Sequence, residues 1–234
     1  MGRKQIPDTQ RGTGVSPVGG DQRLINDDQP VIDRRHGAYL PHWTKASGGI
    51  YAVTFRLADS LPSVVLERLI RERDELRQEA LHNPEGLIEE AERRLTHLFS
   101  ARIEEYLDAG SGACWMKDGR IARMIAQSLI HFHQQRYALH AWCVMPNHVH
   151  VLVEPQQGWA LPAILHGWKS FTAKQANRIL GRTGTFWQPE YYDHLIRDES
   201  EYSHSVHYIE QNPTVAGMIS WPWVSSRTGV SARL

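Results

Sequence analysis

The sequence predicts an α+β sandwich, an antiparallel sheet with helices packed on one face and a helical hairpin inserted into it. Three observations carry that prediction. Short β-branched and aromatic segments alternate with longer segments of helical periodicity, in the order strand, helix, strand, strand, helix, strand, helix. Two of the strands are separated only by Pro146-Asn147, a tight-turn pair that makes them a hairpin. Residues 61 to 110 form a charged stretch of helical character after the first strand, outside that alternation.

Residues 1 to 46 read as a flexible N-terminal arm, rich in Gly, Pro, Asp and Gln at its start and ending in the basic, aromatic RRHGAYLPHWTK. Its first residues lack the apolar stretch of a secretory signal. Tyr51 to Leu57 alternates as a first strand. Residues 61 to 81 and roughly 87 to 107 form the helical insertion, broken at Asn83-Pro84-Glu85-Gly86 and read as a solvated hairpin. From Arg120 to Arg136 a cleaner amphipathic helix places Ile121, Met124, Ile125, Leu129 and Phe132 on one face.

The hairpin strands follow at 137 to 145 and 148 to 155, then a helix at 161 to 180 closed by Gly181. A fourth strand runs around Tyr192 to Arg197. A last helix, capped by Asp198 or Ser200, extends to about Asn212 and is terminated by Pro213. Residues 47 to 220 make one domain and 221 to 234 a short C-terminal tail. Without the insertion, the order of elements is the ferredoxin-like, or RRM-like, pattern.

The composition is that of a packed domain: 41% of the 234 residues are hydrophobic and 22% charged. No run of about 18 apolar residues reads as a membrane span. Two cysteines, Cys114 and Cys143, make no disulfide framework and fit a reducing, cytoplasmic setting. The formal net charge of zero counts against a strongly basic nucleic-acid binder. The charge is uneven, however: the Glu- and Arg-rich segment 67 to 105 masks any basic face elsewhere.

His148-Val149-His150 lies in a strand, where residues i and i+2 point to the same face about 7 Å apart. Two imidazoles so placed can converge on one divalent ion. His131 and His133 cannot, because on a helix i and i+2 are about 200° apart. On the last helix, Tyr208 and Asn212 are one turn apart and face the same way, presenting a phenol beside a carboxamide oxygen. Such an oxygen suits Mg²⁺ or Mn²⁺. Taken singly, a strand histidine pair is more often structural, and a helical tyrosine more often core.

Three blocks in order, MPNHVHVLVEP (145 to 155), FWQPEYYDHLIRDESEY (186 to 202) and YIEQNPTVAGM (208 to 218), resemble the HUH-type single-tyrosine transposases with a transposase IS200-like domain. The nearest resemblance is to the REP-associated tyrosine transposases, over about residues 45 to 220 with the insertion interrupting it. It implies that His148, His150 and Asn212 hold a divalent metal, Mg²⁺ or Mn²⁺, and that Tyr208 is the nucleophile. The implied activity is nicking and rejoining of single-stranded DNA at hairpin-associated sites through a 5′-phosphotyrosine.

Implied partners are single-stranded or hairpin DNA, with the chain a monomer or homodimer associated with the nucleoid. A free tyrosine ionises only near pH 10, and the sequence names no base for it. Lys169, Lys174, Arg178, Trp187, Gln188, Arg197, Arg34 and Arg35 are candidate DNA contacts, with surface charge or packing as the competing reading. Tyr191, Tyr192 and Tyr202 are rival tyrosines. The alternative functions are a non-catalytic nucleic-acid-binding module on the same fold and a metal hydrolase that activates water.

Overall fold

The computed structural model describes residues 32–36, 41–45, 48–81 and 102–226. The leader before residue 32 and most of the expected second helix of the insertion lie outside the described residues. So do the side chains of Arg34 and Arg35. Strands β1 (Ile32–His36) and β2 (Pro41–Lys45) pair antiparallel as a separate two-stranded sheet. The end of the expected flexible arm is thus a hairpin, in which antiparallel pairing satisfies the backbone of a stretch containing Ile32, Trp43 and Thr44.

The main sheet has five antiparallel strands in the order β6-β3-β5-β4-β7. These are β3 (Tyr51–Arg56), β4 (Tyr137–Val144), β5 (His148–Pro155), β6 (Tyr192–Leu195) and β7 (Val224–Ser226). Strands β3 to β6 reproduce the ferredoxin-like order, with the hairpin β4–β5 turning through Pro146-Asn147. β7 falls in the expected C-terminal tail and is a correction to that boundary. It pairs with β4 through Ala141↔Ser226 to Cys143↔Val224, and the Trp221 indole donates to the Val144 carbonyl at 2.8 Å. Three residues are too few for an alternating pattern to be read.

The helices are α1 (Ser63–Leu81), α2 (helical at residues 102–108), α3 (Gly119–His131), α4 (Leu161–Leu180) and α5 (Glu199–Val215), with a single 3₁₀ turn at Trp115–Lys117. Alternation divides the sheet into two faces. Tyr51, Val53 and Phe55 of β3 and Val149, Val151 and Val153 of β5 pack with Ile121, Ile125 and Leu129 of α3 and Leu161, Leu165 and Trp168 of α4. Each such fully buried large side chain contributes about 1.5–3 kcal/mol. A register shift between Leu139 and Ala141 keeps Leu139 and Trp142 on the same core although their parity differs.

The opposite face of the sheet is covered by α5, whose Val206 and Ile209 pack on Ala141, Cys143 and Leu152. The expectation of helices on one face therefore holds for α3 and α4, while α5 makes a third layer. Asp198 caps α5 by accepting from the Glu201 amide at 2.8 Å, and the Glu201 carboxylate reaches back to the Arg197 amide at 3.0 Å. Pro213 does not end α5, which continues to Val215. Pro213 has no amide to return to the Ile209 carbonyl one turn earlier, so the last turn of α5 lacks that helical hydrogen bond.

α1 and α2 pack together around Leu69, Val65 and Ile103, and Arg68 donates to the Tyr106 hydroxyl at 2.7 Å. The C-terminal end of α2 does not stand in solvent as a free hairpin would. Leu107 is fully buried, and its carbonyl and that of Ser111 accept from the Asn147 amide at 3.0 and 2.9 Å. Among the described residues no helix is long and apolar enough to cross a membrane.

Candidate active site

The even-numbered residues of β5 point away from the main core, which brings His148 and His150 beneath α5. Both are buried, at 1% and 3% exposure. Their Nε2 atoms lie 2.9 Å apart. Asn147 sets the tautomer of His148. Its amide nitrogen is occupied by the Leu107 and Ser111 carbonyls, so its Oδ1 must accept, and it lies 2.7 Å from His148 Nδ1. Nδ1 of His148 therefore carries the proton and donates, leaving Nε2 with a lone pair directed at His150. On the neighbouring strand Thr54, which faces His150 in the register, places its hydroxyl 2.8 Å from His150 Nδ1.

α5 contributes the other two expected residues. The Tyr208 ring meets His150 edge to face at 5.3 Å between centroids. Asn212, one turn on, is 3% exposed, donates through its amide to the Tyr208 oxygen, and leaves its own Oδ1 buried with no hydrogen-bond partner. An orphaned buried carbonyl is costly and unusual, and a cation would satisfy it. Two nitrogens bound to one divalent ion at about 2.1 Å and near a right angle lie about 3 Å apart, which the histidine pair matches. Among the described residues no three His, Cys, Asp or Glu side chains are gathered closely enough to hold an ion by themselves, so the fit requires the Asn212 oxygen.

Two carboxylates absent from the expected set complete the site, both from α2. Glu104 accepts a hydrogen bond from the Tyr208 hydroxyl. Asp108 places Oδ1 3.9 Å from His148 Nε2. Glu104 and Asp108 are one helical turn apart, the single signal in the sequence that could have paired them. Burial pushes the Glu104 carboxyl up to about 7 and raises Asp108 as well. Burial, followed by the charges of Glu104 and Asp108, raises the Tyr208 phenol, against which the Asn212 hydrogen bond acts. Burial also drives both histidines down, His150 to about 3 and His148 well below its usual value, so each imidazole is neutral at pH 7.

The other tyrosines and the His-x-His decoy are placed elsewhere. The Tyr202 hydroxyl lies 3.2 Å from His140 Nδ1, while His140 Nε2 meets Glu154 at 3.0 Å. Tyr191 packs on the far core and Tyr192 beside α1. His133 accepts from the Leu139 amide at 2.9 Å, and His131 meets Phe132 edge to face.

Of the candidate DNA contacts, Trp187 is corrected. It is 4% exposed, packs edge-on against Phe55 and Phe186, and donates to Thr172 at 2.9 Å, so its indole offers no face to a base. Lys169 is half-buried and donates to the Gln188 and Pro189 carbonyls at 2.7 and 2.6 Å, which holds the loop before β6; burial lowers it to about 8. Lys174 and Arg178 are exposed on α4, across the sheet from His148 and Tyr208. Arg197 is exposed beside the start of α5, and Gln188 is tied by its backbone amide to the Arg56 carbonyl at 2.9 Å. Arg56, opposite His148 in the register, is a buried cation that sequence periodicity left unmarked.

The structure thus gathers two neutral imidazoles, an orphaned amide oxygen and a phenol under one helix, on a ferredoxin-like sheet. Comparison with known proteins finds the following similarities. Residues 118–212 match the family described as Transposase IS200 like. Over 121 residues the chain is 28% identical to the REP-associated tyrosine transposase of Escherichia coli (strain K12), covering 48% of this chain and 68% of that protein. A solved REP-associated tyrosine transposase bound to a REP hairpin aligns over 82% of this chain and 81% of its own, at 17% identity and a TM-score of 0.44. The chain is thus similar, over residues 118–212, to the Transposase IS200 like family, and over 121 residues to a REP-associated tyrosine transposase.

Proposed function

We propose that this chain nicks and rejoins single-stranded DNA at hairpin-associated sites, using Tyr208 as nucleophile in a site where His148, His150 and Asn212 hold a divalent cation. The observation that carries the reading is the meeting of α5 with the histidine face of β5, with Tyr208 against His150 and the Asn212 oxygen left bare. When bound, Mg²⁺ or Mn²⁺ supplies positive charge that polarises the scissile phosphate and offsets the carboxylates around it.

The protein's own groups account for the remaining chemistry. Asn212 orients the phenol by donating to its oxygen. Glu104 accepts the phenol proton as the Tyr208 oxygen attacks phosphorus. The new bond joins that oxygen to phosphorus, the bond to the departing 3′-oxygen breaks, and that oxygen leaves as a 3′-hydroxyl after taking up a proton. The phosphotyrosine retains the phosphodiester's reactivity, so a DNA hydroxyl reverses the step and frees Tyr208. Burial of the site keeps water from competing with that hydroxyl.

The test is an end-labelled single-stranded hairpin oligonucleotide incubated with protein and Mn²⁺, then resolved on a denaturing gel. A covalent protein–DNA band that disappears in Tyr208→Phe and with chelator is expected. Binding without cleavage would leave the non-catalytic nucleic-acid module, and cleavage without an adduct would indicate water as the nucleophile.

A further inference from the structure

We propose that the Arg56 guanidinium binds a backbone phosphate of the DNA strand at the edge of the site; this rests on the DNA-processing reading given above. Arg56 belongs to none of the three sequence blocks that mark the site. It is the last residue of β3 and stands opposite His148 in the register, two residues on from Thr54, whose hydroxyl meets His150. Alternation places Thr54 and Arg56 on the histidine face of the sheet. Arg56 is 9% exposed. A guanidinium carries five N–H donors, and among the described residues Arg56 uses one of them, toward the Ser60 hydroxyl at 3.3 Å. Burial, opposed by no carboxylate, lowers Arg56 to about 10, so it is still charged at pH 7. A cation buried without a paired anion is costly, and an anionic ligand removes that cost.

A structural role in the turn after β3 is the competing explanation, and the hydrogen bonding argues against it. That turn closes without Arg56: the Ser60 amide and hydroxyl both donate to the Leu57 carbonyl, at 3.3 and 2.8 Å. One long hydrogen bond to a neutral oxygen does not offset the burial of a guanidinium. Lys169, the neighbouring cation, is differently placed, because the Gln188 and Pro189 carbonyls accept from it. Burial lowers Lys169 most, Glu190 opposes that, and the Arg56 charge lowers it further. Two cations therefore repel each other at this end of the sheet, and Arg56 is the one with donors left unused. A phosphodiester brings one negative charge and two non-bridging oxygens, which the planar guanidinium fork matches in a bidentate contact.

A methylphosphonate scan, which removes the charge of one phosphate at a time, tests the contact on the full chain. Binding of a fluorescent single-stranded hairpin oligonucleotide is read by anisotropy in chelator. In the parent, methylphosphonate at one position should weaken binding about 10- to 100-fold. Arg56→Gln should bind the unmodified oligonucleotide more weakly by a similar factor, and should lose less than about twofold more at that position. Arg56→Lys, which keeps the charge without the fork, should fall between the two. The melting temperature of Arg56→Gln without DNA should hold or rise, because an uncompensated buried charge has been removed. Should Arg56→Gln not fold, Arg56→Lys carries the same comparison, its loss at that position being smaller than the parent's. Equal losses in variant and parent at every position would overturn the phosphate contact alone and leave Arg56 to the turn. A parent that binds no such oligonucleotide would remove the DNA-processing reading itself.

Discussion

Asn147 and His148 are adjacent in the chain and also hydrogen-bonded through their side chains, with Asn147 Oδ1 2.7 Å from His148 Nδ1. The contact determines which nitrogen of His148 faces the site. Because the rest of the Asn147 amide binds the segment after α2, it also couples the histidine strand to the insertion. An Asn147→Ala variant loses three side-chain hydrogen bonds, two of them buried, and takes the donor from two carbonyls. Urea unfolding should report a loss of about 2–3 kcal/mol. Mn²⁺ affinity should fall about 10- to 100-fold, the usual effect of removing a group that orients a ligand imidazole.

Metal-free stability should depend on acid in a defined window. Both histidines have folded pKa values depressed by burial, His150 to about 3 and His148 well below its usual value. The unfolded chain takes up these protons from about pH 6.5 downward, while the folded chain does not. Their contribution is complete above pH 6.5 and is lost as pH falls from there toward 3. Thermal melts in chelator between pH 7 and 4 should fall more steeply for the parent than for His148→Gln/His150→Gln. Parallel slopes would contradict neutral burial of the pair.

Glu104 acts in the opposite sense. Its folded value, about 7, lies above the usual 4.5, so the folded state retains its proton longer. Its contribution is present below about pH 4.5 and is lost as pH rises through 7. Glu104→Gln should therefore gain in melting temperature relative to the parent between pH 5 and 8. As the proton acceptor, Glu104 must be ionised, so single-turnover cleavage should rise through about pH 7. That limb should be absent in Glu104→Gln, with the remaining rate lower by about 10²- to 10⁴-fold.

Trp187 provides a control against reading DNA contacts from sequence. Its indole is buried between Phe55, Phe186 and Thr172. Trp187→Ala should cost about 3–5 kcal/mol of stability, measured by denaturant unfolding. Arg197→Ala, at an exposed position, should change stability by no more than about 0.5 kcal/mol. A stable Trp187→Ala protein with selectively weakened DNA binding would contradict the packing described.

Much of this site was legible because two periodicities determine it. Strand alternation placed His148 and His150 on one face, and helical spacing placed Asn212 beside Tyr208. Periodicity cannot say which face a distant helix will cover, so the approach of α5 to β5 had to come from the fold. Glu104 and Asp108 were obscured for a related reason. The insertion is so evenly charged that its two half-buried carboxylates look like its solvated ones, and only the long-range contact through Asn147 distinguishes them. Asn147 itself read as a turn residue, which it is, without its second role. Trp187 misled because tryptophan suits both a base-stacking surface and a core.

The most direct test of the central claim is tandem mass spectrometry of the trapped protein–DNA adduct after nuclease and protease digestion. The account predicts a phosphonucleotide on the peptide containing Tyr208, attached to that residue and requiring Mn²⁺ or Mg²⁺ for its formation. Attachment at Tyr202, which is engaged with His140 rather than His150, or cleavage with no attached tyrosine, would contradict it.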